Sequence, residues 1–171
     1  MPKLNSILSG VAGAYFAAGE LTRQGYIASL TLRNTKGIDV LVSNESASRS
    51  VGIQVKTNQG STKIWLMHEK AENYHADNLF YVFVNLNNGG KPDFFVVPSK
   101  VVADYITKSH QHWLGTPGRR GQKHKDTTMR QFKDTEGNYL NRWDLLGLRN
   151  SCVRLRRPSE LILILSMLKV H

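Results

Sequence analysis

An apolar run near the middle of the chain constrains the fold more than any other feature. Residues 79–86 read LFYVFVNL, so seven of the eight residues are apolar or aromatic. Successive side chains of a strand point to opposite faces of a sheet, and here both faces would be apolar. We therefore predict a strand that is buried on both sides, in the centre of a sheet.

One helix and three strands are predicted before this run. Over residues 4–24, apolar residues recur at the 3.6-residue period of a helix that is buried on one face, with the buried positions at Ile7, Val11, Ala14, Ala18 and Leu21. Three runs with strand character follow, at residues 26–32, 38–43 and 50–57. Their connections are short and polar, whereas a parallel crossover needs about a dozen residues. We therefore expect an antiparallel meander.

Further elements follow the central run. Asn-Asn-Gly-Gly at 87–90 predicts a turn into a strand at 93–97, and residues 99–113 predict a helix with Ser99 as its N-cap. Residues 115–138 are rich in Gly, Lys and Arg and are interpreted as a long loop, and the apolar set within 139–148 predicts a packing element. The fold class is therefore α/β or α+β, with one domain over residues 1–148 and a basic, apolar extension at 149–171.

The charge of the chain indicates a polyanionic partner. Its 171 residues include 23 Lys and Arg against 13 Asp and Glu, for a net charge of +10. Residues 1–98 carry only +2 of this, and residues 99–171 carry +8. Either nucleic acid or an anionic membrane surface would suit such a charge. The single Cys152 excludes an intrachain disulfide and a cysteine-rich zinc site.

The most apolar segment in the charged half gives no support for a membrane span. Residues 161–168 are the candidate, and they are far shorter than the roughly 20 residues that a spanning helix needs. The N-terminal helix contains Glu20 and several glycines and does not resemble a signal peptide. We expect a soluble, cytoplasmic protein that does not act on membranes.

Four polar residues lie at positions where the pattern predicts burial: Glu20, Asp39, Gln54 and Lys56. Gln54 and Lys56 flank Val55, so they project from the same face of one strand. Burying an isolated carboxylate or ammonium group costs several kcal/mol unless the group is paired or binds a metal ion. We therefore expect these residues to meet one another or an ion.

The chemistry of this set suits a hard cation. Mg²⁺ takes oxygen ligands and commonly binds one or two carboxylates together with water and phosphate oxygens. Asp39, the Gln54 side-chain oxygen, the Val55 carbonyl and Glu20 are the candidate ligands of Mg²⁺, with Mn²⁺ as a substitute. Lys56 would orient the attacking water and offset charge on the phosphate. This hypothesis describes a site that hydrolyses phosphodiester bonds and needs no small-molecule cofactor.

The motif segments resemble a known family. A helix with Glu20, then Gly37-Ile38-Asp39 in a strand, then Gln54-Val55-Lys56 in the next strand, is similar to the PD-(D/E)XK nuclease superfamily, which includes restriction endonucleases and Holliday junction resolvases. The resemblance is strongest to a branch of small bacterial proteins with a Q-x-K variant motif and a segment like RWDLLGL, here residues 142–148. It implies an αβββαβ core over roughly residues 5–106, with a central mixed sheet flanked by helices. It also implies Mg²⁺-dependent DNA cleavage in which Asp39, Gln54 and Lys56 hold the motif positions and Glu20 assists.

Two alternatives stand beside the nuclease hypothesis. Gln54 replaces the usual Asp or Glu, which lowers the negative charge of the metal site and favours a weakened nuclease scaffold that serves as a DNA-binding or assembly module. The residues also have simpler roles open to them. Asp39 could bond to Lys36 or a loop amide, Glu20 could pair with Arg23, and Gln54 and Lys56 could face solvent.

Six basic residues are the candidate DNA-binding set: Arg119, Arg120, Lys123, Lys125, Arg130 and Lys133. Contacts of this kind to phosphates would depend on salt and would not depend on base sequence. The alternative is an ordinary solvated surface segment. If the chain cuts both strands of a duplex, two sites are needed, and we therefore expect a homodimer.

Overall fold

A computed structural model describes residues 3–32 and 37–149 of the chain. Two longer helices are present, α1 (Ser6–Arg23) and α2 (Ser99–Gly115). The strands are β1 (Ile27–Leu30), β2 (Val40–Ser43), β3 (Ser50–Asn58), β4 (Ile64–His68), β5 (Leu79–Asn85), β6 (Asp93–Pro98) and β7 (Met129–Lys133). Short 3₁₀ helices span Glu69–Glu72, Asn87–Gly89 and Trp143–Leu146. The predicted boundary at residue 148 and the extension beyond it concern residues that lie largely outside this description.

Five strands form a central mixed sheet in the order β1-β2-β3-β5-β6. The strands β1, β2 and β3 form the predicted antiparallel meander, β3 runs parallel to β5, and β5 runs antiparallel to β6. All seven residues of β5 are buried, which confirms the central strand predicted from the apolar run.

The fold class is confirmed, with one difference in element order. The crossover from β3 to β5 contains β4 and a 3₁₀ helix at the point where an αβββαβ core would have an α-helix. The second helix, α2, follows β6 instead. Because the crossover spans residues 59–78, it is long enough to connect two parallel strands without an α-helix.

Each face of the sheet carries its own core. On one face, α1 packs over Ile53, Val82 and Val84, and Trp143 and Leu146 of the predicted packing element close this side. On the other face, α2 packs together with the β4–β7 pair over Tyr81 and Phe83. The alternating side chains of β5 therefore separate two apolar layers.

The buried face of α1 differs from the prediction in its first half. Ile7 and Val11 are exposed, whereas Ser9 and Gly13 are buried. A Cβ atom placed on Gly13 would overlap the side chain of Thr57, so small residues allow α1 to approach β3 closely. Size and not hydrophobicity decides which residues face the sheet here.

The predicted loop over residues 115–138 is wrong at its end, because β7 forms there. β7 pairs antiparallel with β4, which the sequence did not indicate, and Phe132 stacks on Phe83 with ring centroids 4.6 Å apart. The two strands form a small second sheet that covers one face of the central sheet.

The predicted capping role of Ser99 is also wrong. Pro98 is the N-cap residue of α2, and the Ser99 side chain makes no capping bond. Its buried hydroxyl instead donates to the Ala76 carbonyl at 3.0 Å and accepts from the Ala76 N–H at 3.1 Å. No helix within the described part of the chain is long and apolar enough to cross a membrane.

Candidate catalytic site

The site is organised around Asp39, the residue that precedes β2. Its backbone N–H donates to the Ile53 carbonyl at 2.8 Å, and its carbonyl accepts from the Thr31 N–H at 3.0 Å. Its carboxylate oxygen Oδ2 accepts the backbone N–H of Val55 at 2.7 Å. Asp39 is therefore fixed between β1 and β3, with its charge at the edge of β3.

At this point β3 extends beyond its partner β2. The register of the two strands ends at the pair Val40 and Ile53, and among the described residues no strand continues along that edge. In a strand, the N–H and the carbonyl of one residue point towards the same neighbour. Because the Val55 N–H meets Asp39, the Val55 carbonyl faces the same side as the Asp39 carboxylate.

Gln54 and Lys56 lie together in a cavity on the α2 side of the sheet. The cavity has a volume of about 490 Å³, and both side chains are half-buried. Its other lining residues come from the loop before β2, from β4, from the 3₁₀ helix that follows β4 and the loop after that helix, and from β5: Gly37, Met67, His68, Lys70, Ala71, Tyr74 and Tyr81. Asp39 does not line this cavity but another, of about 400 Å³, between α1 and the end of β1 on the α1 side of the sheet. Its carboxylate is bonded to Val55, the residue that separates Gln54 from Lys56 in β3.

Gly37 has a structural reason to be glycine. Its φ is +72°, in the left-handed region, and a Cβ atom built on it would overlap the ring of Tyr74. Glycine adopts such a φ at low cost, whereas other residues are strained there. The Tyr74 ring thus lies directly against the turn that leads the chain into Asp39.

Tyr81 is a site residue that the sequence did not reveal. It is directly opposite Gln54 in the β3–β5 register, it is 0% exposed, and it lines the cavity. Its hydroxyl has no hydrogen-bond partner within residues 3–32 and 37–149. Burial raises the pKa of Tyr81 to about 12, with a contribution from Tyr74, so the hydroxyl is neutral near pH 7.

His68 and Lys70 were missed for a different reason. They enter the cavity from β4 and the following 3₁₀ helix, elements that a polar, unpatterned stretch of sequence did not predict. Recognition of a strand at residues 64–68 would have been the signal that this segment contributes to the site. Lys70 and Lys56 together give the cavity two cations, a charge that suits a phosphate group.

The structure does not bring Glu20 to the other three residues. Its carboxylate accepts two hydrogen bonds from Arg23, at 2.8 and 2.9 Å, and one from Gln24 at 2.8 Å. The Arg23 guanidinium holds the pKa of the Glu20 carboxyl below its usual value. The part of α1 that lines the Asp39 cavity ends at Tyr15, and Glu20 is about 7.5 Å further along the helix axis. The simpler pairing with Arg23 is the one observed.

Five of the six candidate DNA-binding residues are exposed: Arg119, Arg120, Lys123, Lys125 and Lys133. The first four lie between α2 and β7 and are named the basic segment (residues 119–125) below. Met129, which begins β7, is paired with His68 of the cavity wall. The chain therefore runs from the basic segment directly to the edge of the candidate site.

Arg130 is the exception and requires a correction. Its side chain is 7% exposed, forms an ion pair with Glu72 and also donates to the Thr127 carbonyl. Its charge is therefore used to attach β7 to the 3₁₀ helix beside the cavity, and it is not presented to solvent.

The candidate donors, two of them at the β3 edge and the third in the cavity on the α2 side, fit a hard cation in type. They are a carboxylate, a backbone carbonyl and an amide oxygen, all of them oxygen ligands of the kind that Mg²⁺ prefers. Within the described residues, no group of three or more His, Cys, Asp or Glu side chains comes together. The set therefore carries one negative charge, from Asp39.

The five-stranded mixed sheet between two helices is an α/β fold of a type that is also found in nucleases. It is similar to the bacterial homing endonuclease I-Ssp6803I, at 17% identity and a TM-score of 0.53, over 85% of this chain and 94% of that chain. It also matches Hjc, a Holliday junction resolvase from Archaeoglobus fulgidus, at 9% identity and a TM-score of 0.47, over 82% and 98%. No protein-family model and no curated protein matches the sequence.

Proposed function

We propose that this chain is a Mg²⁺-dependent DNA endonuclease that hydrolyses phosphodiester bonds. The observation that supports the proposal is the bond from the Val55 N–H to the Asp39 carboxylate, 2.7 Å long, at the edge of a strand from which Gln54 and Lys56 enter one cavity. The bond places the Asp39 carboxylate beside the β3 residue that separates Gln54 from Lys56, whose side chains line the cavity on the α2 side of the sheet. The similarity of the fold to that of a homing endonuclease supports it independently.

Each residue has a separate role in the proposed reaction. Asp39, the Val55 carbonyl and the Gln54 amide oxygen hold the cation, which is Mg²⁺ or Mn²⁺. When bound, the ion stabilises charge on the phosphate and acidifies the attacking water. Lys56 orients that water and offsets the charge that develops on phosphate oxygens. Glu20 is not included, because Arg23 and Gln24 occupy its carboxylate.

The basic segment and Lys133 are proposed to bind the DNA backbone. All five side chains are exposed, and they add positive charge without any built-in preference for a base. Cleavage of both strands would require two copies of the site, and we propose that the chain acts as a homodimer in the cytoplasm.

A second function is favoured by the neutral Gln54. With a single carboxylate at the β3 edge, cation binding is weaker than with two, and the chain would then serve as a DNA-binding or assembly module. Gln54→Glu discriminates the two functions. The substitution should create cleavage activity in an inactive module, whereas in an active nuclease it should change only the Mg²⁺ requirement.

The direct experiment is cleavage of supercoiled, linear and branched DNA by the purified chain with Mg²⁺ or Mn²⁺. We expect cleavage that is lost with a chelator, with Asp39→Ala and with Lys56→Met. Lys91→Met is the matched control, because Lys91 is an exposed lysine in the connection between β5 and β6. Intact DNA at every salt concentration, with either ion, would refute the enzymatic proposal.

A further inference from the structure

The Tyr81 hydroxyl is a buried polar group with no partner among the described residues. Tyr81 is 0% exposed, and its oxygen makes no hydrogen bond within the described residues. A buried hydroxyl that has lost its bonds to water is unfavourable unless another group replaces them. Because Tyr81 lines the cavity, the partner of its hydroxyl is a group in the cavity: a side chain, a water molecule or a bound group.

Gln54 is one of several polar side chains in the cavity, and it is the one directly opposite Tyr81 in the sheet. The two residues are direct partners in the parallel β3–β5 register and project to the same face. Both line the cavity of about 490 Å³, and Gln54 is half-buried. The two side chains are not hydrogen-bonded in the described structure, so the contact requires a rotation of the Gln54 side chain within the cavity.

We propose that Tyr81 is a positioning residue whose hydroxyl donates a hydrogen bond to the Gln54 amide oxygen, Oε1. An amide presents either oxygen or nitrogen, and only the oxygen can accept the phenolic proton. The bond therefore selects the orientation that leaves a second lone pair of Oε1 for a cation beside Asp39 and Val55. This inference rests on the proposed function, in which Gln54 is a cation ligand.

The contact itself can be tested without any metal ion. In the full chain labelled with ¹³C at tyrosine Cζ, hydroxyl exchange with solvent is measured from the H/D isotope effect on each resonance. Tyr81 is assigned from the resonance that disappears in Tyr81→Phe. In Gln54→Leu we expect the Tyr81 hydroxyl to exchange about tenfold faster, the effect of losing one hydrogen bond. Gln54→Glu keeps an acceptor and should leave exchange slow.

Tyr105 is the internal control for this measurement. It packs edge-on against Phe132 in the same core and does not line the cavity, so its exchange should be equal in all variants. Equal exchange of Tyr81 in wild type and Gln54→Leu would overturn the inference.

The consequence for the ion is tested by Mg²⁺ titration of DNA cleavage. Tyr81→Phe should raise the Mg²⁺ concentration for half-maximal cleavage roughly tenfold, as loss of a group that orients a metal ligand does, with little change in maximal rate. Tyr105→Phe should match wild type. If Tyr81→Phe also matches wild type, the inference is wrong although the proposed function stands. If wild type cleaves nothing while Gln54→Leu still accelerates Tyr81 exchange, the contact stands and the proposed function fails.

Discussion

The Asp39 carboxylate takes the place of a strand partner for Val55. Its oxygen accepts the Val55 N–H at 2.7 Å where β2 has ended and β3 continues. One side chain thus satisfies a backbone donor and places a negative charge beside the Val55 carbonyl. Asp39 therefore has a structural role and a proposed catalytic role, and substitutions of this residue can separate the two.

Two substitutions of Asp39 should differ in stability and agree in activity. Asp39→Ala leaves the half-buried Val55 N–H without an acceptor and should lower the free energy of unfolding by about 1–3 kcal/mol. Asp39→Asn keeps an acceptor oxygen and should unfold close to wild type in urea. Both remove the charge, so both should abolish Mg²⁺-dependent cleavage. Wild-type cleavage by Asp39→Asn would exclude a role for the charge.

Gly37→Ala should destabilise the protein through its backbone and through Tyr74. The φ of +72° and the overlap with the Tyr74 ring predict that the free energy of unfolding, measured by thermal unfolding, falls by about 1–3 kcal/mol. Gly19→Ala is the matched control, because Gly19 is exposed in α1 with open space around it. That control should stabilise α1 by about 0.5–1 kcal/mol. Equal effects of the two variants would contradict this account of Gly37.

Neutralising the basic segment should change the salt dependence of DNA binding. Replacing Arg119, Arg120, Lys123 and Lys125 with Ala should reduce the slope of log K against log salt by about 0.9 for each DNA phosphate that these side chains neutralise in wild type. Fluorescence anisotropy with duplex DNA measures the slope. Lys91→Ala, outside the segment, should leave it nearly unchanged. An unchanged slope in the fourfold variant would show that the basic segment does not contact the DNA phosphates.

Arg130 should affect stability rather than DNA binding. Arg130→Met removes the partner of Glu72 and should lower the free energy of unfolding by about 3 kcal/mol, because an ion pair that is largely buried is broken. The salt dependence of DNA binding measured on the folded variant should match wild type. A reduced slope with normal stability would instead show that Arg130 contacts phosphate.

Tyr81 should make stability sensitive to alkaline pH. Its pKa is raised to about 12 in the fold, whereas an unfolded tyrosine ionises near 10. The contribution of Tyr81 to the free energy of unfolding is therefore complete below pH 10, and about 2–3 kcal/mol of it is lost as the pH rises from 10 to 12. Across this pH range, the free energy of unfolding should fall more steeply in wild type than in Tyr81→Phe. Tyr15→Phe, at a residue that is 64% exposed, should follow wild type.

The local patterns predicted the central sheet well. The apolar run identified β5, and short polar loops indicated the β1–β2–β3 meander, since both signals lie within a few neighbouring residues. The buried face of α1 was not predictable from hydrophobicity, because Gly13 packs against Thr57 on account of its small size. β4 and β7 were missed because each has its partner far away in sequence.

The candidate site was predictable in part for the same reasons. Gln54 and Lys56 share a face by strand alternation alone, so their common cavity could be anticipated. The pairing of Tyr81 with Gln54 depends on the parallel register, which no local signal defines. Arg130 appeared to belong with the neighbouring cations because its partner, Glu72, is 58 residues away.

The pairing of β4 with β7 means that one strand of the cavity wall gains its partner late in synthesis. Asp39, Gln54 and Lys56 have all been added to the chain by residue 56, but His68 at the cavity wall belongs to a strand whose partner ends at Lys133. Contacts so distant in sequence are slow to form. The nascent chain therefore carries the whole predicted motif well before β4 gains its partner strand, and a product that stopped at residue 128 would keep the motif while β4 had no partner.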